Sequence, residues 1–196
     1  MKSAHRQRLF FLACLFEALL VLVATGMGWL LHQPLFANLR WSLSEAALGM
    51  AAAIPMLILF RGLLRSSHEA LVPIRDFLEV VVRPVFGQWS LAQLALISIL
   101  AGVCEEILFR GVLQAGLAGP IGPAGALAVT SVLFGLCHLI TWEYAVIAGL
   151  IGAYLGLLFL GSGNVLAPMV AHAVYDFAAL VYFLRVHRPE QNPTSI

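Results

Sequence analysis

The stretch LAQLALISILAGVCEEILFRGVLQAGL, Leu91–Leu117, decides the fold. It is apolar over more than the roughly 20 residues a helix needs to cross a bilayer. It opens with Ser90-Leu91-Ala92-Gln93, a capping-box pattern that marks a helix start. Yet Glu105, Glu106 and Arg110 stand inside it. A charged residue at the centre of a spanning helix costs roughly 3 kcal/mol on insertion scales, so one found there is a functional candidate by default.

Working outward, the whole chain reads as all-α, a polytopic membrane helix bundle. Of its 196 residues 61% are hydrophobic and 11% charged, a balance whose natural solvent is lipid. The +1 net charge and the lack of a basic, aromatic-interleaved patch argue against nucleic acid as a partner. Cys14, Cys104 and Cys137 sit in apolar runs without a CxxC, which suggests buried thiols rather than disulfides or a cysteine metal site.

Periodicity and length predict about six transmembrane helices. The first, Leu9–Leu31, has a basic head but is longer than a signal-peptide core, so it is expected to be an uncleaved span. The second is Ala46–Leu64, after the Ser42-Leu43-Ser44-Glu45 cap. Leu91–Leu117 is the third, broken by the cluster Gly119-Pro120-Ile121-Gly122-Pro123. Ala124–Ile140, Tyr144–Leu160 and Val165–Leu184 follow, the last two joined by the turn Gly161-Ser162-Gly163-Asn164. Between the second and third spans, LVPIRDFLEVVVRPVF puts Asp76, Glu79 and Arg83 on one helical face and Phe77, Leu78, Val81 and Val82 on others. That pattern predicts a short amphipathic helix lying in the interface.

Lys2, Arg6 and Arg8 precede the first span, Arg61, Arg65, Arg75 and Arg83 follow the second, and Arg185 and Arg188 follow the sixth. Only Arg40 falls clearly on the other side. The positive-inside rule then places both termini in the cytoplasm, and the expected location is a bacterial cytoplasmic membrane.

Helical spacing sorts the intramembrane charges. Glu106 and Arg110 lie four apart with the acid first, the favourable order for an ion pair. Glu105 points about 100° away around the helix, so Arg110 is not expected to hold both carboxylates. Phe134 and His138 lie one turn apart on the fourth span, and His172 and Asp176 share a face of the sixth. Glu105 and His138 are nearly equidistant from the Pro120–Gly122 break, which puts them at similar depth in two antiparallel helices. Glu17, on the first span, is a further intramembrane carboxylate without an assigned role.

These residues resemble the three motifs of the CPBP intramembrane proteases, the CAAX-prenyl-protease and bacteriocin-processing (Abi) group. That pattern is EExxxR, FxxxH and HxxxN in order on separate helices. Here it reads Glu105-Glu106-Ile107-Leu108-Phe109-Arg110, Phe134-Gly135-Leu136-Cys137-His138 and His172-Ala173-Val174-Tyr175-Asp176. The resemblance covers about Pro73 to Phe183. It implies an endopeptidase acting on a membrane-associated protein or peptide at a membrane-proximal bond. Glu105 would activate water, His138 would orient it, and Glu106 with Arg110 would form the supporting pair. His172 and Asp176 would stabilise the oxyanion or hold the water. Asp176 departs from the Asn of many members, and a carboxylate donates no hydrogen bond unless protonated.

Two mechanisms stay open on this reading. His138, His172 and Asp176 could ligate one Zn2+ with Glu105 as base. A Glu–His pair can also activate water unaided, and the absence of HExxH favours that version. The chain is accordingly divided into a single integral membrane domain, 1–196. It comprises two motif-free spans in 1–68, an interfacial segment in 69–88 and motif-bearing catalytic helices in 89–186. The competing readings are a proton-coupled transporter, which also uses buried Glu, His and Asp, and a non-catalytic immunity or scaffold member of the same family.

Overall fold

The computed structural model describes residues 3–187, which are mostly helical, with no strand among them. Lys2 and Arg188, two of the basic residues used to orient the chain, lie outside the described residues. The principal helices are α1 (Ser3–Leu30), α2 (Leu43–Arg65), α3 (Leu91–Glu106), α4 (Ala115–Cys137), α5 (Trp142–Ser162) and α6 (Leu166–Val181). Between α3 and α4, Ile107–Gln114 continues the helix with wider π-type turns, and Tyr182–Val186 extends α6 in the same form.

Five helical stretches are long and apolar enough to cross a membrane. The third of them, Leu91–Cys137, has 47 residues and contains both spans expected from the sequence on either side of the Gly/Pro cluster. At 1.5 Å per residue it measures about 70 Å, more than twice a bilayer's hydrocarbon thickness, so it has to fold back. It does so at Gly122, whose φ of 75° and ψ of 159° suit a residue without Cβ. The non-helical backbone of Gly122 therefore separates two helical arms, at the Gly/Pro cluster where the sequence places the break. Its arms lie side by side, with the rings of Phe109 and Phe134 edge to face at 4.9 Å.

The caps follow the sequence. Ser90 and Gln93 exchange both bonds of a capping box, at 3.2 and 3.0 Å. Ser42 accepts from the Glu45 N–H, Thr141 accepts from the Tyr144 N–H, and Gly163 closes α5 in the left-handed region at φ 60°. Residues 69–86 form a run of short helical turns whose buried stripe, Ile74, Leu78 and Val82, packs with Leu63, Leu94 and Phe183. Glu79 and Arg83 pair on the same run at 2.5 Å.

Helix α6 lies between α2 and α3, and α4 packs on α5. Small residues make the approach to α6 close. A Cβ on Gly49 of α2 would stand 2.5 Å from the Ala167 carbonyl oxygen, and one on Gly102 of α3 would stand 2.7 Å from the Ala173 nitrogen. In lipid, where no hydrophobic drive holds helices together, such close backbone contact is the main source of cohesion. It draws the middle of α6, with His172, against α3.

The two ends of the bundle carry different polar locks. At one end Arg185 donates to the Gly87 and Trp89 carbonyls, each at 2.6 Å, and Arg6 donates to the Gln88 carbonyl at 3.2 Å. At the other, buried Asn164 donates to the Arg40 carbonyl and accepts from the Arg40 and Leu166 N–H groups, at 2.8, 3.1 and 3.2 Å. Asn164→Ala leaves three backbone groups without this partner. The expected result is a loss of about 1–3 kcal/mol, read as a lower unfolding temperature of the detergent-solubilised protein. An unchanged unfolding temperature would mean that water replaces the amide.

Candidate active site

The site is assembled where the folded-back arms of the long helix meet α6. Every side chain from Ile107 to Gln114 is buried, so the wide-turn segment that follows Glu106 faces protein on all sides. Single π-type turns within α-helices are frequent at functional sites.

Glu106 and Arg110 are both inside, at 0% and 1% exposure. Arg110 Nη1 donates to Glu106 Oε1 at 2.6 Å and Nη2 donates to the Gly152 carbonyl of α5 at 2.7 Å. The guanidinium also lies over the Phe134 ring, 4.8 Å from its centroid. The same Glu106 oxygen accepts from His172 Nδ1 at 2.9 Å. His172 Nε2 in turn stands 3.5 Å from Asp176 Oδ2. The charges thus form one chain: Arg110, Glu106, His172, Asp176.

Glu105 stands outside that chain. Its Oε2 is buried without a hydrogen-bond partner, and the nearest basic atom is His138 Nε2 at 3.9 Å. His138 caps α4, and its Nδ1 contacts the Phe134 carbonyl at 2.8 Å. A carbonyl can only accept, so Nδ1 carries the hydrogen and Nε2 is left facing Glu105. The Phe134 ring stacks on His138 with centroids 4.5 Å apart and meets His172 edge-on at 6.1 Å. Phe134 therefore touches the Arg, both imidazoles and the opposite arm.

All the residues singled out from the sequence are gathered here, with Phe134 between them. The Glu105–His138 approach matches their equal distances from the bend. A cavity of about 110 Å³ adjoins the cluster and is lined by His138, His172 and Asp176 together with side chains from α2, the 69–86 run and α5. Glu105 is not among its lining residues and meets it by way of His138.

Three participants were not singled out as site residues. Gln114 is buried and donates to the Gly156 carbonyl at 3.0 Å, one turn along from the Arg110–Gly152 bond. The four-residue spacing Glu106, Arg110, Gln114 was the available signal. Tyr144 and Tyr175 line the cavity, with no motif to mark them. Glu17 of α1 is also buried, with Oε2 unpartnered, and lies within electrostatic reach of Glu105, Asp176 and His172.

Among the described residues no three His, Cys, Asp or Glu side chains converge as a ligand set. His172 has Nδ1 on Glu106, which leaves Nε2, 3.5 Å from Asp176 Oδ2, as its one free ring nitrogen.

Membrane-length helices enclosing a linked set of charges, with a carboxylate and an imidazole opposed beside a cavity, define an integral membrane protein with an internal polar site. Residues 87–178, the stretch that carries all three motifs, match the model of the family described as type II CAAX prenyl endopeptidase Rce1-like. No curated protein and no solved structure matches the chain.

Proposed function

We propose that the chain is an intramembrane endopeptidase that hydrolyses a membrane-proximal peptide bond of a membrane-associated protein or peptide, with Glu105 as general base. The observation that carries this reading is the Glu105–His138 pair, 3.9 Å apart and too far for a direct hydrogen bond. A water about 2.8 Å from both atoms would subtend about 90° between them, close to its natural angle. It would donate one hydrogen to Glu105 and the other to His138 Nε2, leaving an oxygen lone pair for the scissile carbonyl.

Glu105 then takes a proton as the new C–O bond forms, and returns it to the departing amine nitrogen as the C–N bond breaks. His138 holds the water's direction, because its ring is fixed by the Phe134 carbonyl and the stacked Phe134 ring. Arg110, Glu106 and His172 hold the α3, α5 and α6 faces in register. Asp176, as a carboxylate at the cavity, accepts hydrogen bonds. Its role is to orient a substrate N–H, with His172 assisting through their contact. The proposed mechanism needs no metal.

The basic residues support a cytoplasmic position for both termini: Arg6 and Arg185 share one end of the bundle, and Arg40 lies at the other.

The test is to compare membrane-proximal cleavage products in cells carrying the wild type or Glu105→Gln, followed by cleavage of one such substrate in proteoliposomes. Products should vanish with the variant and survive chelation of the wild type. Products that persist in Glu105→Gln would overturn the base assignment. An inert wild type would favour an immunity or scaffold role.

A further inference from the structure

We infer that the hydroxyl of Tyr144 is the hydrogen-bond donor to the oxyanion formed when water adds to the scissile carbonyl. The inference rests on the endopeptidase reading and adds a catalytic residue to it.

Addition of water pushes the π electron pair of the carbonyl onto its oxygen. That oxygen needs a donor until the C–N bond breaks and the pair returns. Glu105 and His138 hold the water, so the carbonyl meets it from the cavity side. The donor therefore has to belong to the polar lining of the cavity: His138, Tyr144, His172, Tyr175 and Asp176.

The imidazoles and Asp176 have no hydrogen to give. His138 keeps its Nδ1 hydrogen on the Phe134 carbonyl and turns a bare Nε2 to the water. His172 has Nδ1 on Glu106 at 2.9 Å. Its Nε2 carries no hydrogen in the neutral ring, and in the protonated ring faces Asp176 at 3.5 Å. Asp176, as a carboxylate, only accepts. Donors just outside the lining are engaged as well. Arg110 is bound to Glu106 and to the Gly152 carbonyl. The N–H groups of His138, Leu139 and Ile140 reach the carbonyls of Gly135, Leu136 and His138.

The two tyrosines remain. Among the described residues the one tyrosine hydroxyl hydrogen-bonded to protein is that of Tyr154, on the Ala52 carbonyl. Position separates Tyr144 from Tyr175. Tyr144 lies within electrostatic reach of both Glu105 and Asp176, whereas Tyr175 reaches Asp176 and Tyr144. The Tyr144 ring stands 6.3 Å from that of His138 and 6.1 Å from that of Phe77, which hold it from two sides. Its backbone is fixed too, since its N–H donates to Thr141 Oγ1 at the start of α5.

The experiment uses the full chain in proteoliposomes with a membrane-anchored fluorogenic peptide, built on a substrate found in the Glu105→Gln comparison. Wild type, Tyr144→Phe, and Tyr144→Phe combined with Asp176→Asn are compared. Tyr144→Phe should lower kcat by about 10²–10³-fold, the range for loss of one oxyanion donor, with KM little changed. Its unfolding temperature should stay near that of the wild type, because the ring and its contacts remain. Asp176→Asn keeps an accepting oxygen and adds an N–H donor to the same cavity. The double variant should therefore regain about tenfold or more over Tyr144→Phe, which repair of a packing defect would not explain. A kcat within about threefold of the wild type in Tyr144→Phe, a loss confined to KM, or a double variant no faster than the single one would overturn the donor and leave the endopeptidase reading standing. A wild type no faster than Glu105→Gln would overturn that reading and the donor with it.

Discussion

Glu105→Gln is expected to lower turnover by about 10²–10⁴-fold, the range supplied by a positioned general base, while the unfolding temperature stays near that of the wild type. Glutamine keeps the shape and removes the proton acceptor. The fold should tolerate it, since among the described residues Glu105 Oε2 makes no hydrogen bond and the one basic atom within 4 Å is His138 Nε2, at 3.9 Å. His138→Gln should lose activity as well, because the ring anchored on the Phe134 carbonyl is replaced by a side chain free to rotate. The double variant should be little worse than the weaker single one, because both residues act on one water and such losses do not add. Rates of a membrane-anchored fluorogenic peptide in proteoliposomes, measured beside thermal unfolding, give all the numbers needed. Fully additive losses would show that the two residues serve separate steps.

Much of this site could be read from spacing. The Glu106–Arg110 and His172–Asp176 pairs are four apart within single helices, and helix geometry puts such residues on one face. Glu105 and His138 could be paired because the Gly/Pro cluster between them forces the chain back on itself. What spacing cannot tell is which helix a face meets. The bond from His172 to Glu106 joins α3 to α6, and it depends on Gly49 and Gly102 letting backbones approach. Glu17 belongs to a helix with no motif, and only packing brings it toward the cluster. The widened turns of Ile107–Gln114 have no composition signature, since they are a matter of one extra residue per turn and not of residue type. The break itself was legible: the Gly/Pro cluster marks it, and the non-helical angles of Gly122 place it within that cluster.

Arg110→Met should be far more damaging to the fold than any change at Glu105. It removes a guanidinium at 1% exposure and leaves the fully buried Glu106 carboxylate with His172 alone, while the Gly152 carbonyl loses its donor. Breaking one side of a buried ion pair typically costs about 3–5 kcal/mol, because the remaining charge is stranded in a low dielectric. The variant should therefore show a sharply lowered unfolding temperature or fail to accumulate in the membrane. Adding Glu106→Gln to it should restore much of the loss, since a neutral amide no longer needs a counter-charge and its oxygen still accepts from His172 Nδ1. The restored protein should nonetheless remain slow, because the cation that fixed Glu106 against α5 is gone and His172 is held less firmly beside Asp176. Recovery of stability without recovery of rate would mark the chain from Arg110 to Asp176 as positioning machinery. If the double variant is as unstable as Arg110→Met, the cost lies in the lost Gly152 and Phe134 contacts and not in the stranded charge.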